Sequence, residues 1–182
     1  RALGAALEAS QSLINEAATL FRQAADEGLL VGLSLEAMAA ACIHAIARER
    51  HQPFPIKAVA AVSLVDHDTI RTAYSKLVRG TDLQIRPPEP AAFVPRLTAD
   101  AGLDHSVCQR ARTIVESLMD DEAHVGQSPT GVAAAAIYGA AKECGVEVTQ
   151  EELADVAYVS VVTLSRQWQT IKTYTAVHNA EP

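Results

Sequence analysis

The sequence has few of the residues that build metal centres, disulfide frameworks or membrane spans. It contains three cysteines, Cys42, Cys108 and Cys144, which lie far apart and form no CxxC pair. We interpret them as small buried apolar residues, because zinc sites and disulfide frameworks need closely spaced or paired cysteines. No apolar run of about 18 residues and no signal-peptide start is present, so we expect a cytoplasmic protein without a membrane span.

Basic residues are scarce, and lysine most of all. Four lysines accompany eleven arginines, and 22 acidic residues exceed 15 basic ones, which gives a formal net charge of -7. Phosphate contacts need Lys and Arg, so this balance argues against strong non-specific binding of nucleic acid, while a local basic face is still compatible with it. The acidic, lysine-poor composition suits a salt-rich cytoplasm.

The patterns of an enzyme are also missing from the sequence. No stretch shows strand-like alternation, so no glycine-rich phosphate loop follows a strand. Asp120, Asp121 and Glu122 are adjacent acids at a predicted helix end, without a matched partner for acid–base chemistry. No cysteine has a nearby histidine in a known nucleophile pattern. We therefore predict that the protein is not an enzyme.

What the sequence does contain is an internal duplication. When the chain is shifted against itself by 94 residues, no gap is needed from about Ala17 to Leu77. Chance similarity between two Ala-rich helices explains the central matches but not the later ones. The matched residues of the first copy are Gly32, Ser34, Ala39 to Ala41, Ile43, Ala47, Glu49, Ala60, Val62, Val65, Ile70 and Tyr74. We therefore predict an all-α fold, with two domains of about five helices each in tandem.

A proline-rich stretch, RGTDLQIRPPEPAAFVPRL at residues 79–97, lies between the two copies. Proline fixes φ and removes a hydrogen-bond donor, so this composition predicts an extended connector rather than a helix. We place the first repeat in residues 1–80, the connector in 81–90 and the second repeat in 91–182.

The second copy ends in two predicted short helices joined by a tight turn. Thr149 caps the first helix with Glu152 completing a capping box, and the second helix begins at Val161. This arrangement meets the geometric requirement for a helix-turn-helix, although it is often only a way of packing two helices. The residues predicted to pack across the corner are Leu153, Ala154, Val156, Val159, Leu164 and Trp168. The residues predicted to point outward are Val162, Thr163, Ser165, Arg166, Gln169 and Lys172.

These motifs together resemble the core of archaeal transcription initiation factor B, a relative of eukaryotic transcription factor IIB. The resemblance covers nearly the whole chain, and the acidic balance is similar to that of haloarchaeal members. It implies a tandem pair of cyclin-like folds. The matching stretches are GLSLEAMAAACIHAIAR (32–48), VDHDTIRTAY (65–74), FVPRL (93–97), QSPTGVAAAAI (127–137) and TQEELADVAYVSVVTLSRQW (149–168).

The resemblance implies that the chain binds the complex of the TATA-binding protein with promoter DNA and helps to recruit RNA polymerase. The outward residues of the last helix would read an element upstream of the TATA box. The position of Gln150 at the start of the preceding helix suits either a phosphate contact, with the help of the helix N-terminus, or a plain polar residue of the first turn. The zinc ribbon of the family is absent from this chain, so we expect no cofactor. We expect a monomer associated with the nucleoid.

Several residues depart from the family pattern. In the second copy Ser165 and Gln167 stand where arginines are expected, and in the first copy His67 and Asp68 replace basic residues. Base reading and phosphate contacts should both be weaker as a result. The alternative function is therefore a cyclin-like protein-interaction module or a regulatory paralogue with weakened DNA binding.

Two further groups in the first copy are candidates for function. Arg71, Lys76 and Arg79 lie near one face of a helix, where they would meet a phosphate, an acidic partner or only solvent. His44 lies on the central helix, and no second metal-binding residue stands four positions away. We therefore expect His44 to be a packed core histidine rather than a ligand.

Overall fold

A computed structural model describes residues 2–83, 85, 88–120 and 127–178, which contain ten α-helices and no β-strand. No helix in these ranges is long and apolar enough to cross a membrane. The helices of the first half are α1 (Ala2–Ala6), α2 (Gln11–Asp26), α3 (Leu35–Glu49), α4 (Ile56–Ala61) and α5 (His67–Gly80). Those of the second half are α6 (Pro90–Asp100), α7 (His105–Asp120), α8 (Pro129–Glu143), α9 (Gln150–Val156) and α10 (Val161–His178).

The chain divides into two compact units, Arg1–Pro88 and Glu89–Pro182, and each unit has its own apolar core. The central helix is α3 in the first unit and α8 in the second. Both helices are buried on nearly every side, because their alanine side chains let neighbouring helices approach closely. Ser34 and Ser128 cap them by accepting hydrogen bonds from backbone N–H groups of the first turn.

The helices of the two units follow the 94-residue shift found in the sequence. Adding 94 to the bounds of α2 gives the bounds of α7, and the same holds for α3 and α8. Helices α9 and α10 begin 94 residues after α4 and α5. The predicted all-α fold, a tandem pair of five-helix cyclin-like units, is therefore confirmed.

The duplication extends to side-chain contacts. In the first unit the rings of His44 and Tyr74 meet edge to face with centroids 5.2 Å apart. In the second unit Tyr138 and Trp168, 94 positions later, meet in the same way at 5.5 Å. Gly139 leaves room for the larger indole, since a Cβ there would lie 2.5 Å from Cζ3 of Trp168. In each unit this contact fixes the last helix against the central helix.

Two predictions about secondary structure are wrong. Residues 90–97 were expected in or beside an extended connector, but they belong to α6. Pro90 occupies the first helical position, where an N–H has no partner, and burial of Phe93 and Val94 offsets the donor that Pro95 removes. The helix from Val161 was expected to be short, but α10 has 18 residues.

The three cysteines do not share one environment. Cys42 is buried in the first unit, and this burial raises the pKa of its thiol to about 12. Cys108 is partly buried, whereas Cys144 is exposed. Cys144 follows the last residue of α8, beyond the buried part of that helix. The expectation of three buried cysteines is therefore wrong for Cys144.

Candidate nucleic-acid interface

Helices α9 and α10 and the turn between them form the helix-turn-helix of the second unit. Thr149 and Glu152 make the predicted capping box, with each side chain accepting from the backbone N–H of the other at 3.1 and 2.8 Å. These backbone and side-chain hydrogen bonds from Thr149 lower the pKa of the Glu152 carboxyl. Tyr158 has a positive φ of 55° in the turn. Ser160 then caps α10 by accepting from the N–H of Thr163 at 3.1 Å.

The inner side of this motif packs as the sequence predicts. Leu164 is completely buried, and Leu153 and Ala154 are each 1% exposed. The half-buried residues packed against the same core are Val156, Val159 and Trp168. This apolar contact holds the two helices at a fixed angle, so that the opposite side of α10 is presented to solvent.

The outer side of α10 carries four exposed candidate residues, which are Val162, Arg166, Gln169 and Lys172. The side chain of Val162 is 77% exposed. Neither Arg166 nor Lys172 forms an ion pair with any residue that the structure describes. No acidic residue occurs between positions 161 and 178, so α10 presents its positive charges without opposing carboxylates of its own.

Two other candidates, Thr163 and Ser165, are half-buried. The Thr163 hydroxyl lies 2.8 Å from the hydroxyl of Ser160, so it takes part in the cap at the start of α10. Both residues flank Leu164, which enters the core. Thr163 and Ser165 are therefore less accessible than the four exposed candidates.

Gln150 is half-buried at the first position of α9. The same helical turn contains Glu151 and Glu152, and the capping box already uses one of its free N–H groups. Two carboxylates at a helix start repel a phosphate, which opposes the attraction of the helix N-terminus. This repulsion disfavours a phosphate contact by Gln150.

Gln167 is a residue of this motif whose placement the sequence analysis missed. Its side chain is 2% exposed, and its Oε1 atom has no hydrogen-bond partner among the described groups. A Cβ added to Gly131 would lie 2.1 Å from that oxygen, so the amide lies directly against the backbone of α8. The 94-residue shift indicates this contact, because Gly131 and Gln167 match Ala37 and Ala73. Where the first copy has two small side chains, the second has one long side chain opposite a glycine. Gln167 packs between α10 and α8 and does not face a groove.

The basic residues of α5 are engaged within the first unit. A guanidinium nitrogen of Arg71 lies 2.6 Å from a carboxylate oxygen of Asp68. Lys76 donates to the carbonyl of Val31 at 2.6 Å, and Arg79 donates to a carbonyl of its own helix at 3.0 Å. These contacts reduce what the three residues can offer to a phosphate or an acidic partner.

The start of α5 is acidic where the start of α10 is apolar. Asp66 caps α5 by accepting from the N–H groups of Asp68 and Thr69 at 3.0 and 2.9 Å. Hydrogen bonds from the backbone and side chain of Thr69 lower the pKa of the Asp66 carboxyl, so it stays ionised. The ring of the half-buried His67 lies 3.6 Å from Asp68. This surface of the first unit disfavours contact with phosphates.

His44 is a packed core residue with 8% exposure. Its burial, together with the positive charge of Arg48, lowers the pKa of the imidazole from 6.5 to about 4, against a hydrogen bond with the Phe54 backbone that raises it. The ring is therefore neutral at pH 7. In the part of the chain that the structure describes, no three His, Cys, Asp or Glu residues are grouped to hold a metal ion.

A family model described as the transcription factor TFIIB repeat matches residues 1–80 and 84–174. The chain is similar to transcription initiation factor IIB 4 of Halobacterium salinarum, with 37% identity over 160 residues, which cover 88% of this chain and 49% of the relative. It is also similar to transcription initiation factor IIB 6 of that organism, with 33% identity over 93% of this chain and 53% of the relative.

The similarity extends to a relative from a second organism. Transcription initiation factor IIB of Archaeoglobus fulgidus is 34% identical over 169 residues, which cover 93% of this chain and 52% of the relative. The chain therefore spans about half the length of these curated relatives.

Proposed function

The chain belongs to the transcription factor TFIIB repeat family, and we propose that it acts as the core of a general transcription initiation factor. In this function it binds the complex of the TATA-binding protein with promoter DNA and helps to recruit RNA polymerase. It acts by binding and not by catalysis. The names of its relatives support a role in transcription initiation.

The exposed face of α10 is the observation that carries this proposal. The helix has 18 residues, which corresponds to a length of about 27 Å at 1.5 Å per residue, enough to lie along a major groove. Arg166 and Lys172 are exposed on it, and the helix contains no acidic residue. A protein with a net charge of -7 needs such a local acid-free surface to approach DNA.

Three side chains on this face have the chemistry to distinguish bases. The exposed methyl groups of Val162 suit the methyl group of thymine, Arg166 suits guanine, and Gln169 suits adenine. Gln167 is buried and cannot reach a base edge. Base reading therefore depends on fewer side chains than in the family pattern, and we expect a relaxed promoter preference.

A second function, that of a cyclin-like protein-interaction module, is favoured by the first unit. Asp66 and Asp68 stand at the start of α5, and the cations of that helix are already engaged. Such a surface suits a protein partner better than DNA. In the proposal that we favour, the second unit provides the groove-reading helix and the first unit contributes contacts with protein.

A gel-shift titration across a salt series tests this function. The probe is a TATA-containing duplex, with and without the TATA-binding protein. We expect a ternary complex, and we expect Arg166→Ala to weaken it by about fivefold or more, which corresponds to the loss of roughly 1 kcal/mol or more for one specific base contact. Lys172→Ala should weaken binding to all sequences alike and reduce the salt slope by about one.

Arg112→Ala is the matched control, because Arg112 is an exposed arginine of α7 that faces Glu116 and lies outside the helix-turn-helix. Its affinity for the promoter complex should equal that of the wild type. Absence of a ternary complex at every salt concentration would contradict promoter binding and support the protein-interaction module.

A further inference from the structure

The last helix of each unit packs on the central helix of the same unit, α5 on α3 and α10 on α8. The two last helices bury the same positions in the 94-residue shift. These positions are Ile70, Ala73 and Leu77 in α5 and Leu164, Gln167 and Ile171 in α10. Duplicated units are prone to assemble with the wrong neighbour. The chain therefore needs a difference between the two contacts that directs each last helix to its own unit.

In the second unit, two long side chains of α10 lie opposite two glycines of α8. A Cβ added to Gly131 would lie 2.1 Å from Oε1 of Gln167. A Cβ added to Gly139 would lie 2.5 Å from Cζ3 of Trp168. The contact between α8 and α10 therefore depends on the absence of two methyl groups from α8.

Helix α3 has these two methyl groups. Ala37 and Ala45 stand at the places of the two glycines, and both are completely buried. If α10 docked on α3, its Gln167 and Trp168 would meet side chains where their own unit leaves space. Overpacking of a filled core is destabilising. The surface of α3 therefore rejects α10.

The opposite exchange would leave empty space. Helix α5 has Ala73 and Tyr74 at the places of Gln167 and Trp168. If α5 docked on α8, these smaller side chains would stand opposite glycines and would not fill the volume between the helices. A cavity in a core is also destabilising. The two contacts are therefore mismatched in both directions.

A polar contact adds to the difference in size. The hydroxyl of Tyr74 accepts a hydrogen bond from Arg48 of α3 at 2.7 Å. The counterpart of Arg48 is Lys142, whose Nζ lies 5.3 Å from the centroid of the Tyr138 ring. An indole has no acceptor atom, so Trp168 in the place of Tyr74 could not accept this hydrogen bond.

We propose that each central helix is a docking surface selective for the last helix of its own unit, so that α3 accepts α5 and α8 accepts α10. The selectivity comes from alanine or glycine on the central helix and from the size of two adjacent side chains on the last helix. It directs each last helix to its own core while the duplicated chain folds. The inference does not depend on DNA binding by α10.

Replacements in the first unit of the full 182-residue chain test this selectivity. Ala73→Gln with Tyr74→Trp gives α5 the two side chains of α10. Because Ala37 and Ala45 leave no room for them, amide hydrogen exchange in α3 should become faster by about tenfold or more. Exchange in α8 should stay unchanged, because every replaced residue belongs to the first unit.

The decisive comparison adds Ala37→Gly with Ala45→Gly. In the wild-type chain these two replacements should speed exchange in α3 by about tenfold or more, because glycine weakens a helix interior. In the chain with the altered α5 they should slow exchange in α3 by about tenfold, because they make room for the larger side chains. The effect of the two glycine replacements should therefore change sign with the side chains of α5.

Ser75→Gln is the matched control, because Ser75 lies on the exposed face of α5. It should leave exchange in α3 unchanged, and the glycine replacements added to it should act as they do in the wild type. The inference is overturned if the glycine replacements speed exchange in α3 equally with either form of α5. It is also overturned if they fail to restore protection that the altered α5 has abolished.

Discussion

Replacement of Gly131 by alanine should destabilise the second unit, but the same replacement should stabilise it once Gln167 is also alanine. In the wild-type structure a Cβ added at position 131 would lie 2.1 Å from Oε1 and 2.9 Å from Cδ of Gln167. The Gln167 side chain is 2% exposed, so the amide has little room to move away. The first unit already contains the relaxed combination, Ala37 and Ala73, both completely buried.

Two opposing free energies set the size of the stability change caused by Gly131→Ala. An extra methyl group in a filled core costs about 1 to 3 kcal/mol. Alanine is favoured over glycine inside a helix by about 1 kcal/mol. Gly131→Ala alone should therefore lower the free energy of unfolding by up to about 2 kcal/mol. When Gln167 is already alanine the clash is absent, so Gly131→Ala should raise the free energy of unfolding by about 1 kcal/mol.

The wild type, the two single variants and the double variant form a double-mutant cycle. Urea unfolding followed by Trp168 fluorescence measures their stabilities, because Trp168 is the only tryptophan and lies in the second unit. Gly145→Ala is the matched control. Gly145 has a φ of +71° with no atom within 4 Å of an added Cβ, so its replacement should cost the same in both backgrounds. An identical effect of Gly131→Ala with and without Gln167 would refute the contact between the two residues.

Two other predictions concern single side chains. Because the unfolded imidazole of His44 binds a proton near pH 6.5 and the folded one only near pH 4, its contribution to stability is complete above pH 6.5 and is lost as the pH falls toward 4. Between pH 6.5 and pH 4 the free energy of unfolding of the first unit should therefore fall by about 3 kcal/mol less in His44→Phe than in the wild type. Hydrogen exchange of α3 measures this free energy at each pH. The same dependence of the free energy on pH in both proteins would contradict the prediction. Thr149→Ala should lower the free energy of unfolding of the second unit by about 1 kcal/mol and speed amide hydrogen exchange in α9. Thr173→Ala, on the surface of α10, should change neither the free energy nor the exchange. Equal effects of the two replacements would show that the cap contributes nothing.

Helix positions and the duplication were predictable from the sequence, because they depend on local spacing and on self-similarity. The central helices α3 and α8 were recognised by their alanine content, and the corner of Leu153 and Leu164 by its apolar pattern. The helix α6 is not predictable in this way, because the prolines at 90 and 95 indicate an extended chain and only burial of Phe93 and Val94 offsets that signal. Local composition alone does not contain that compensation.

The candidate interface was predictable only in outline. The exposure of Val162 and Arg166 follows from the helical period, but the half-burial of Ser165 and the burial of Gln167 depend on the neighbouring helix α8. The side chain of Gln167 is placed by the absence of a Cβ at Gly131, which is a tertiary relation.

A photo-crosslinking residue at position 162 tests whether α10 lies on promoter DNA. The full chain carries the probe in place of Val162 and is assembled with the TATA-binding protein on a TATA-containing duplex. Asp68, which occupies the same place at the start of α5, is the control position. We predict a crosslink from position 162 to DNA upstream of the TATA box, and none to DNA from position 68. An assembled complex in which position 162 crosslinks only to protein would contradict groove reading by α10.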